Sequence, residues 1–362
     1  MKIGIVTVHD SNNYGSFLQA FALQEILHEF GHEVFFVRTR DKKFVKKTFI
    51  PRLFRKKNIR HPIRFFHNWK TGVCKWKAFT KDQTLFKEID RMELEAMDLV
   101  ILGSDEIWNI QVKSFQNGLF FGEGVHNAIA YAVSVGRADY EDFKNNPFYA
   151  EAMKTIGHIM VRDSRTKDIV EKVCGFTPKV VCDPTFLIDK ELFTRNKHAE
   201  DHFIDGRFLL IYSYSLGKDM EGKIKKLAEN KKLKIVSACF YYKWADHNMM
   251  VGPLEFCSLM QKADFVFTTT FHGTVFSILN EKQFVCIPAS IKTNDLLEKL
   301  GLEERIIEEN ASIERIAGKM ESELTDYASV NGKIKQIRAE SLELLKESIE
   351  NTVKANERKN NM

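Results

Sequence analysis

DFVFTTTFHGTVFSILN, residues 264–280, decides how the chain is built. The apolar run from Phe265 to Phe267 reads as a buried parallel strand. It stops at three threonines, and from His272 and Gly273 onward the apolar residues recur at helical spacing. His272 therefore stands at the carboxyl end of a strand and the amino end of a helix. In an open α/β sheet ligands bind at that place, and the unpaired N–H groups of the helix start favour anions. An imidazole there is a candidate acid, base or anion clamp. The plainer alternative is a helix cap or a bond to a carbonyl. Thr270, Gly273 and Thr274 flank it as candidate contacts to a bound substrate.

Two other junctions repeat the pattern. MKIGIVTV, residues 1–8, is an apolar strand; HDSNNYGS supplies turn formers; FLQAFALQEILHEFG carries apolar residues at helical spacing and stops at Gly31, after which EVFFV reads as the next strand. Asn12, Asn13, Gly15 and Ser16 line that turn, where amides, a hydroxyl and backbone N–H groups can hold a phosphate or a sugar hydroxyl, or simply close the turn. The spacing is not a GxGxxG fingerprint. DLVILGSDEIWN, residues 98–109, is the other junction. A strand over Leu99 to Leu102 ends in Gly103, Ser104, Asp105 and Glu106. Glycine allows close approach of a ligand to the backbone, and the carboxylate pair can take protons or accept hydroxyl hydrogen bonds. The structural alternative is a Ser or Asp N-cap. Trp108 either stacks on a sugar ring or fills the core.

The chain of 362 residues exceeds one ordinary core, and its 44% hydrophobic and 28% charged residues are those of a globular protein. Strands are expected at 2–8, 34–38, 98–102, 128–134, 157–161 and 179–182, and again near RFLLIYSY, LKIVSACF, DFVFTT and FVCIP, with helices between them. This is an α/β chain of two Rossmann-like domains with parallel sheets, residues 1–186 and 187–330, crossing over in the polar stretch from Asp189 to Asp205. Residues 331–362 form a charged amphipathic helix and a polar tail. No apolar run reaches the ~18 residues of a membrane span, and Met1 already begins a strand, so a cytoplasmic protein is expected. Six cysteines without CxxC pairs suggest neither zinc nor a disulfide framework, and read as mostly buried thiols.

Between Arg38 and Lys81 stand sixteen Lys or Arg residues and one acid, Asp41, interleaved with aromatics such as Phe44, Phe65, Trp69 and Trp76. The formal charge of the whole chain is only +5, so the remainder is acidic. No nucleic-acid motif accompanies the segment. Peripheral contact with an anionic membrane is one reading, since each cation near such a surface is worth roughly 1 kcal/mol; a solvated insert is the other.

NNYGSFLQAFALQ, VILGSDEIWN and TTTFHGTVFSILNEKQFVCIP, in that order, resemble the polysaccharide pyruvyl transferase family, and VRDSRTKDIVEK (161–172) followed by VVCDPTFLI is a weaker fourth match. The resemblance runs from Lys2 to about Pro288. It implies two domains facing a cleft, as in GT-B glycosyltransferases, and transfer of the enolpyruvyl unit of phosphoenolpyruvate to a sugar of a surface-glycan precursor, commonly lipid-linked, to form a pyruvate ketal. Such a donor needs an acid, a base and an anion clamp, and Arg matches both its phosphate and its carboxylate. His272 is then the acid or phosphate holder, Asp105 and Glu106 handle acceptor hydroxyls, Arg162 of the VRD match clamps the donor, and Asn12, Asn13 and Ser16 line the opposite wall. No cofactor beyond the donor and no metal is expected, and no nucleic-acid partner. In some branches of the family an arginine precedes the histidine by two residues; here Thr270 stands there, which leaves Arg162, Arg137 or Lys243 to supply the cation. A GT-B glycosyltransferase using a sugar nucleotide, or a noncatalytic scaffold of glycan synthesis, are the rival readings.

Overall fold

The computed structural model describes residues 1–39, 62–195, 204–322 and 326–360. Strands β1 (Lys2–Val6), β2 (Glu33–Val37), β3 (Glu88–Ile89), β4 (Leu99–Leu102), β5 (Ala128–Val133), β6 (His158–Val161) and β7 (Lys179–Val180) form one sheet in the order β3-β2-β1-β4-β5-β6-β7. A second sheet, ordered β10-β9-β8-β11-β12, is made of β8 (Phe208–Tyr212), β9 (Lys234–Ala238), β10 (His247–Met249), β11 (Phe265–Thr268) and β12 (Gln283–Cys286). Every pairing in both is parallel. The central strands are continuous apolar runs because helices cover both of their faces; β4, β5 and β8 are buried at every residue. The short strands β3 and β10 were not expected from the sequence.

Parallel order fixes where a ligand can go. On either side of β1 and β4 the chain winds outward in opposite directions, so the helices after these neighbours leave a crevice at their carboxyl ends. The same reversal occurs between β8 and β11 in the second sheet. Both crevices are formed by the polar junctions singled out above.

Aromatic packing joins the two domains. Tyr14, fully buried at the start of the Tyr14–Glu29 helix, stacks on Phe256 at 4.6 Å and Phe79 at 5.1 Å, and its hydroxyl donates to the Val251 carbonyl at 2.8 Å. Phe79 lies in the Pro62–Gln83 helix, so the end of the basic segment packs against the second domain through this buried ring, while neighbours such as Trp76 remain exposed. Buried Asp82 strengthens that packing by accepting from the Leu254 N–H at the start of the Pro253–Lys262 helix, 3.1 Å. Residues 40–61, which include Lys42, Lys43, Lys46 and Lys47, lie outside the described residues.

The last helix, Tyr327–Asn360, packs back on the first domain. Ser341 Oγ accepts from Cys182 N at 3.0 Å, and Arg338 pairs with Asp189 at 2.7 Å. Of the cysteines only 239, 257 and 286 are buried; Cys74 is exposed and Cys174 and Cys182 are intermediate, so the expectation of mostly buried thiols holds for half of them. Among the described residues no helix is long and apolar enough to cross a membrane.

Candidate active site

The four junctions converge. Asp105, just past β4, adopts φ +84°, a conformation in which non-glycine residues are rare and which clusters at functional sites. Ser16 Oγ donates to its Oδ2 at 2.6 Å across the β1–β4 crevice, and the Glu106 N–H donates to its Oδ1 at 2.8 Å. Arg162, just past β6, donates from Nη1 to Asp183 Oδ2 at 2.6 Å and brings Nη2 to 3.7 Å from Asp105 Oδ1. Asp183 is fixed in turn by the Thr185 N–H and hydroxyl, which both donate to its Oδ1.

The second domain contributes three side chains. His272 places Nε2 3.5 Å from Asp183 Oδ2. Phe271 lies under the Arg162 guanidinium at 5.0 Å, and the Lys292 ammonium is 5.0 Å from the same ring. Lys292, near the start of the Ile291–Leu300 helix, is 2.7 Å from Glu106 Oε1. Three polar groups are left with unspent capacity: Arg162 Nε and Nη2, His272 Nε2, and Oδ2 of the neighbouring Asp163 are buried and make no hydrogen bond.

Opposed effects set the charge states. Burial on its own would raise the Asp105 carboxyl, but the charges of Lys292, Arg162 and His272 with the Ser16 hydrogen bond hold it below the usual range. Glu106 is treated likewise, burial being outweighed chiefly by Lys292. Asp183 is held far down against its burial by His272 and Arg162. Arg162 is raised despite burial by the charges of Asp183 and Asp105. At neutral pH all three carboxylates are therefore ionised, so none of them is a proton donor.

Several expected contacts are supports instead. Thr270 Oγ1 accepts from the Gly273 N–H at 3.0 Å and caps the Phe271–Leu279 helix. Thr274 is fully buried and its hydroxyl turns back to the Thr270 carbonyl at 3.1 Å, which corrects its assignment as a substrate contact. Ser104 is corrected on the same ground: it is fully buried, and its Oγ accepts from the Asp105 N–H while its carbonyl accepts from Thr7 Oγ1, so with Gly103 it shapes the turn that presents Asp105. Gly273 has no room for a side chain beside Thr268. Trp108 fills the core and donates to the Phe120 carbonyl at 2.8 Å. Asn13 caps the Tyr14–Glu29 helix through Oδ1 and donates from Nδ2 to the Tyr214 hydroxyl at 3.2 Å, across the cleft; Asn12 is half-buried in the same turn. Arg137 and Lys243 are exposed and form no ion pair with the cluster.

Asp183, Lys292 and Tyr214 were not singled out from the sequence. Asp183 ends the apolar run VVC much as the other junction residues end theirs, a signal that was present.

Gly15 faces His272 from the opposite wall. A Cβ there would stand 2.0 Å from His272 Nδ1, a distance no structure tolerates. Gly15→Ala is expected to push the imidazole aside and to cost on the order of 100-fold in turnover, because a displacement of about 1 Å at a reacting group has that effect. Activity close to that of the native protein in this variant would show that the position of His272 does not matter.

A sequence model of the polysaccharide pyruvyl transferase family matches residues 13–290, which spans Ser16, Asp105, Arg162, Asp183 and His272. The chain belongs to that family. Curated proteins provide no match. Among solved structures the family member is similar to a protein assigned as a UDP-N-acetylglucosamine 2-epimerase in Listeria monocytogenes, at 12% identity and TM-score 0.54 over 92% of this chain and 90% of that one. It is also similar to a UDP-GlcNAc 2-epimerase from Neisseria meningitidis bound to UDP-GlcNAc, at 10% identity and TM-score 0.50 over 96% and 99%. At such identities the likeness shows the fold alone, two Rossmann-like domains of GT-B type.

Proposed function

We propose that this family member transfers the enolpyruvyl group of phosphoenolpyruvate to two hydroxyls of a sugar in a surface-glycan precursor, forming a pyruvate ketal. The observation that carries the reading is the buried Arg162 with two donor nitrogens unspent, beside His272 and Lys292, in the crevice shared by both domains. An anion fits those donors, and the planar guanidinium suits a carboxylate or phosphate.

The residues divide by charge state. His272 gives a proton to the methylene carbon of the donor, since the neighbouring carboxylates are ionised. C2 then becomes oxocarbenium-like and is attacked by one acceptor hydroxyl; the second hydroxyl displaces phosphate. Asp105 and Glu106 orient those hydroxyls and take a proton. Tyr214, 60% exposed at the end of β8 and facing Asn13, offers a ring face to the acceptor sugar. Incubation of the protein with phosphoenolpyruvate and an oligosaccharide acceptor, free or lipid-linked, should release one phosphate for each ketal gained by the sugar. Release of uridine diphosphate from a sugar nucleotide, with no use of phosphoenolpyruvate, would assign the cleft to glycosyl transfer.

The acceptor is read as lipid-linked, with the basic segment 38–81 leaning on anionic lipid. Binding to vesicles rich in anionic lipid should fall steeply with salt, the attraction being screened over about 8 Å at physiological strength. Replacing Lys42, Lys43, Lys46 and Lys47 with Gln should weaken it by on the order of 100- to 1,000-fold, at roughly 1 kcal/mol each. Transfer to a soluble oligosaccharide should survive that change. Equal loss on soluble and lipid-linked acceptors would place the segment in the catalytic cleft itself.

A further inference from the structure

We propose that Lys292 binds the anionic donor and, in doing so, gives up Glu106, which then serves as the base on the first acceptor hydroxyl. The inference rests on the reading just given and adds a residue that no junction motif contains.

Charge balance motivates it first. Asp105, Glu106 and Asp183 are all held ionised, against two permanent cations, Arg162 and Lys292. The three carboxylates already outnumber these two cations, and without Lys292 a multiply charged anion would meet them with Arg162 as its one remaining counter-charge of the pair. Thr270 provides no charge, and its hydroxyl is committed to capping the helix.

Position comes second. Arg162 and Lys292 line the same cavity of about 450 Å³ and stand at equal distance from the Phe271 ring. The Lys292 side chain is only 10% exposed, so its ammonium is held in the site and not dispersed in solvent. On the Arg162 side, Nε and Nη2 are buried and make no hydrogen bond, Nη2 having only the 3.7 Å ion pair with Asp105. An anion spanning those nitrogens and Lys292 Nζ satisfies both ends. Glu106 is the group with which that anion competes, at 2.7 Å from Nζ.

The exchange links donor binding to chemistry. With Lys292 turned to the donor, Glu106 loses its main stabilising partner and becomes the better base. The balance of the step is then complete. The donor π pair takes a proton from His272, so the methylene becomes a methyl group. The first hydroxyl oxygen bonds to C2 as its proton passes to Glu106. The second hydroxyl bonds to C2 as the C2–O bond to phosphate breaks, phosphate leaving with the electron pair. The two hydroxyl protons re-protonate His272 and leave on phosphate.

The test titrates phosphoenolpyruvate, and separately inorganic phosphate, into the native protein, Lys292→Gln and Lys292→Arg by calorimetry, and follows kcat/KM against pH. Loss of one charge-assisted hydrogen bond predicts about 10- to 100-fold weaker phosphoenolpyruvate binding in Lys292→Gln, with partial recovery in Lys292→Arg. The acid limb of the profile should move to higher pH in Lys292→Gln, because Glu106 is no longer held down in the unliganded enzyme; a lysine that merely props up the helix would leave that limb in place. Native protein that binds phosphoenolpyruvate and makes ketal, with Lys292→Gln unchanged in affinity and profile, overturns the assignment of Lys292 and leaves the transferase reading intact. Native protein that binds neither phosphoenolpyruvate nor phosphate overturns the transferase reading, and this inference falls with it.

Discussion

His272→Asn lowers pyruvyl transfer by about 100- to 10,000-fold, the usual contribution of a general acid, while donor binding changes little. The size of the effect follows from the lack of a substitute. Asp105, Glu106 and Asp183 are held ionised by their cationic neighbours, and Arg162 is held protonated by two carboxylates, so none of these four can stand in for the His272 imidazole as acid. Asparagine keeps a polar group of similar reach beside Asp183 but cannot act as the acid. Single-turnover measurement of phosphate release separates the two steps. Native rates in this variant would transfer the acid role to another group.

Arg162→Met affects stability as well as donor affinity. The change leaves Asp183 buried with its strongest hydrogen-bond donor gone, and breaking a buried pair in this way costs about 3–5 kcal/mol. Asp183→Asn in the same background removes the stranded charge and should recover much of the loss without restoring donor binding. The pH dependence has a definite sign. Asp105, Glu106 and Asp183 all have folded-state values below the ordinary ~4 of a carboxyl, so they contribute stability that is present above that range and lost as pH falls below it. The resistance of the native chain to denaturant should therefore fall on acidification below about pH 4, and Arg162→Met should show a shallower decline. A variant as stable as the native chain would mean that Asp183 is not held in place by this arginine.

What the sequence disclosed depended on whether local pattern carried the information. The β11 junction was legible because a continuous apolar run gives way to helical spacing within a few residues, and chain chemistry alone puts His272 at that corner. The parallel order of both sheets followed from strands with apolar residues on both faces. Strand β3, at the edge of its sheet, and β10 escaped notice because Glu88, His247 and Asn248 are polar and pair on few neighbours. Lys292 stands in a polar run, ASIKTND, and only the folded chain brings it to Glu106. Phe79 falls within the basic segment without standing out there, and its burial against Tyr14, which stacks in turn on Phe256, shows only in the folded chain. Thr274 misled because a hydroxyl at a helix start resembles an anion contact, whereas the nearest acceptor is the carbonyl one turn back.

The central claim is that phosphoenolpyruvate is protonated at its methylene carbon and delivered to two hydroxyls of a sugar. Carrying out the reaction in deuterium oxide and recording the nuclear magnetic resonance spectrum of the product tests it most directly. The account predicts a ketal whose methyl group carries one solvent deuterium, formed together with one inorganic phosphate. A sugar product with no such methyl group, or phosphoenolpyruvate left unconsumed while a sugar nucleotide is spent, would contradict it.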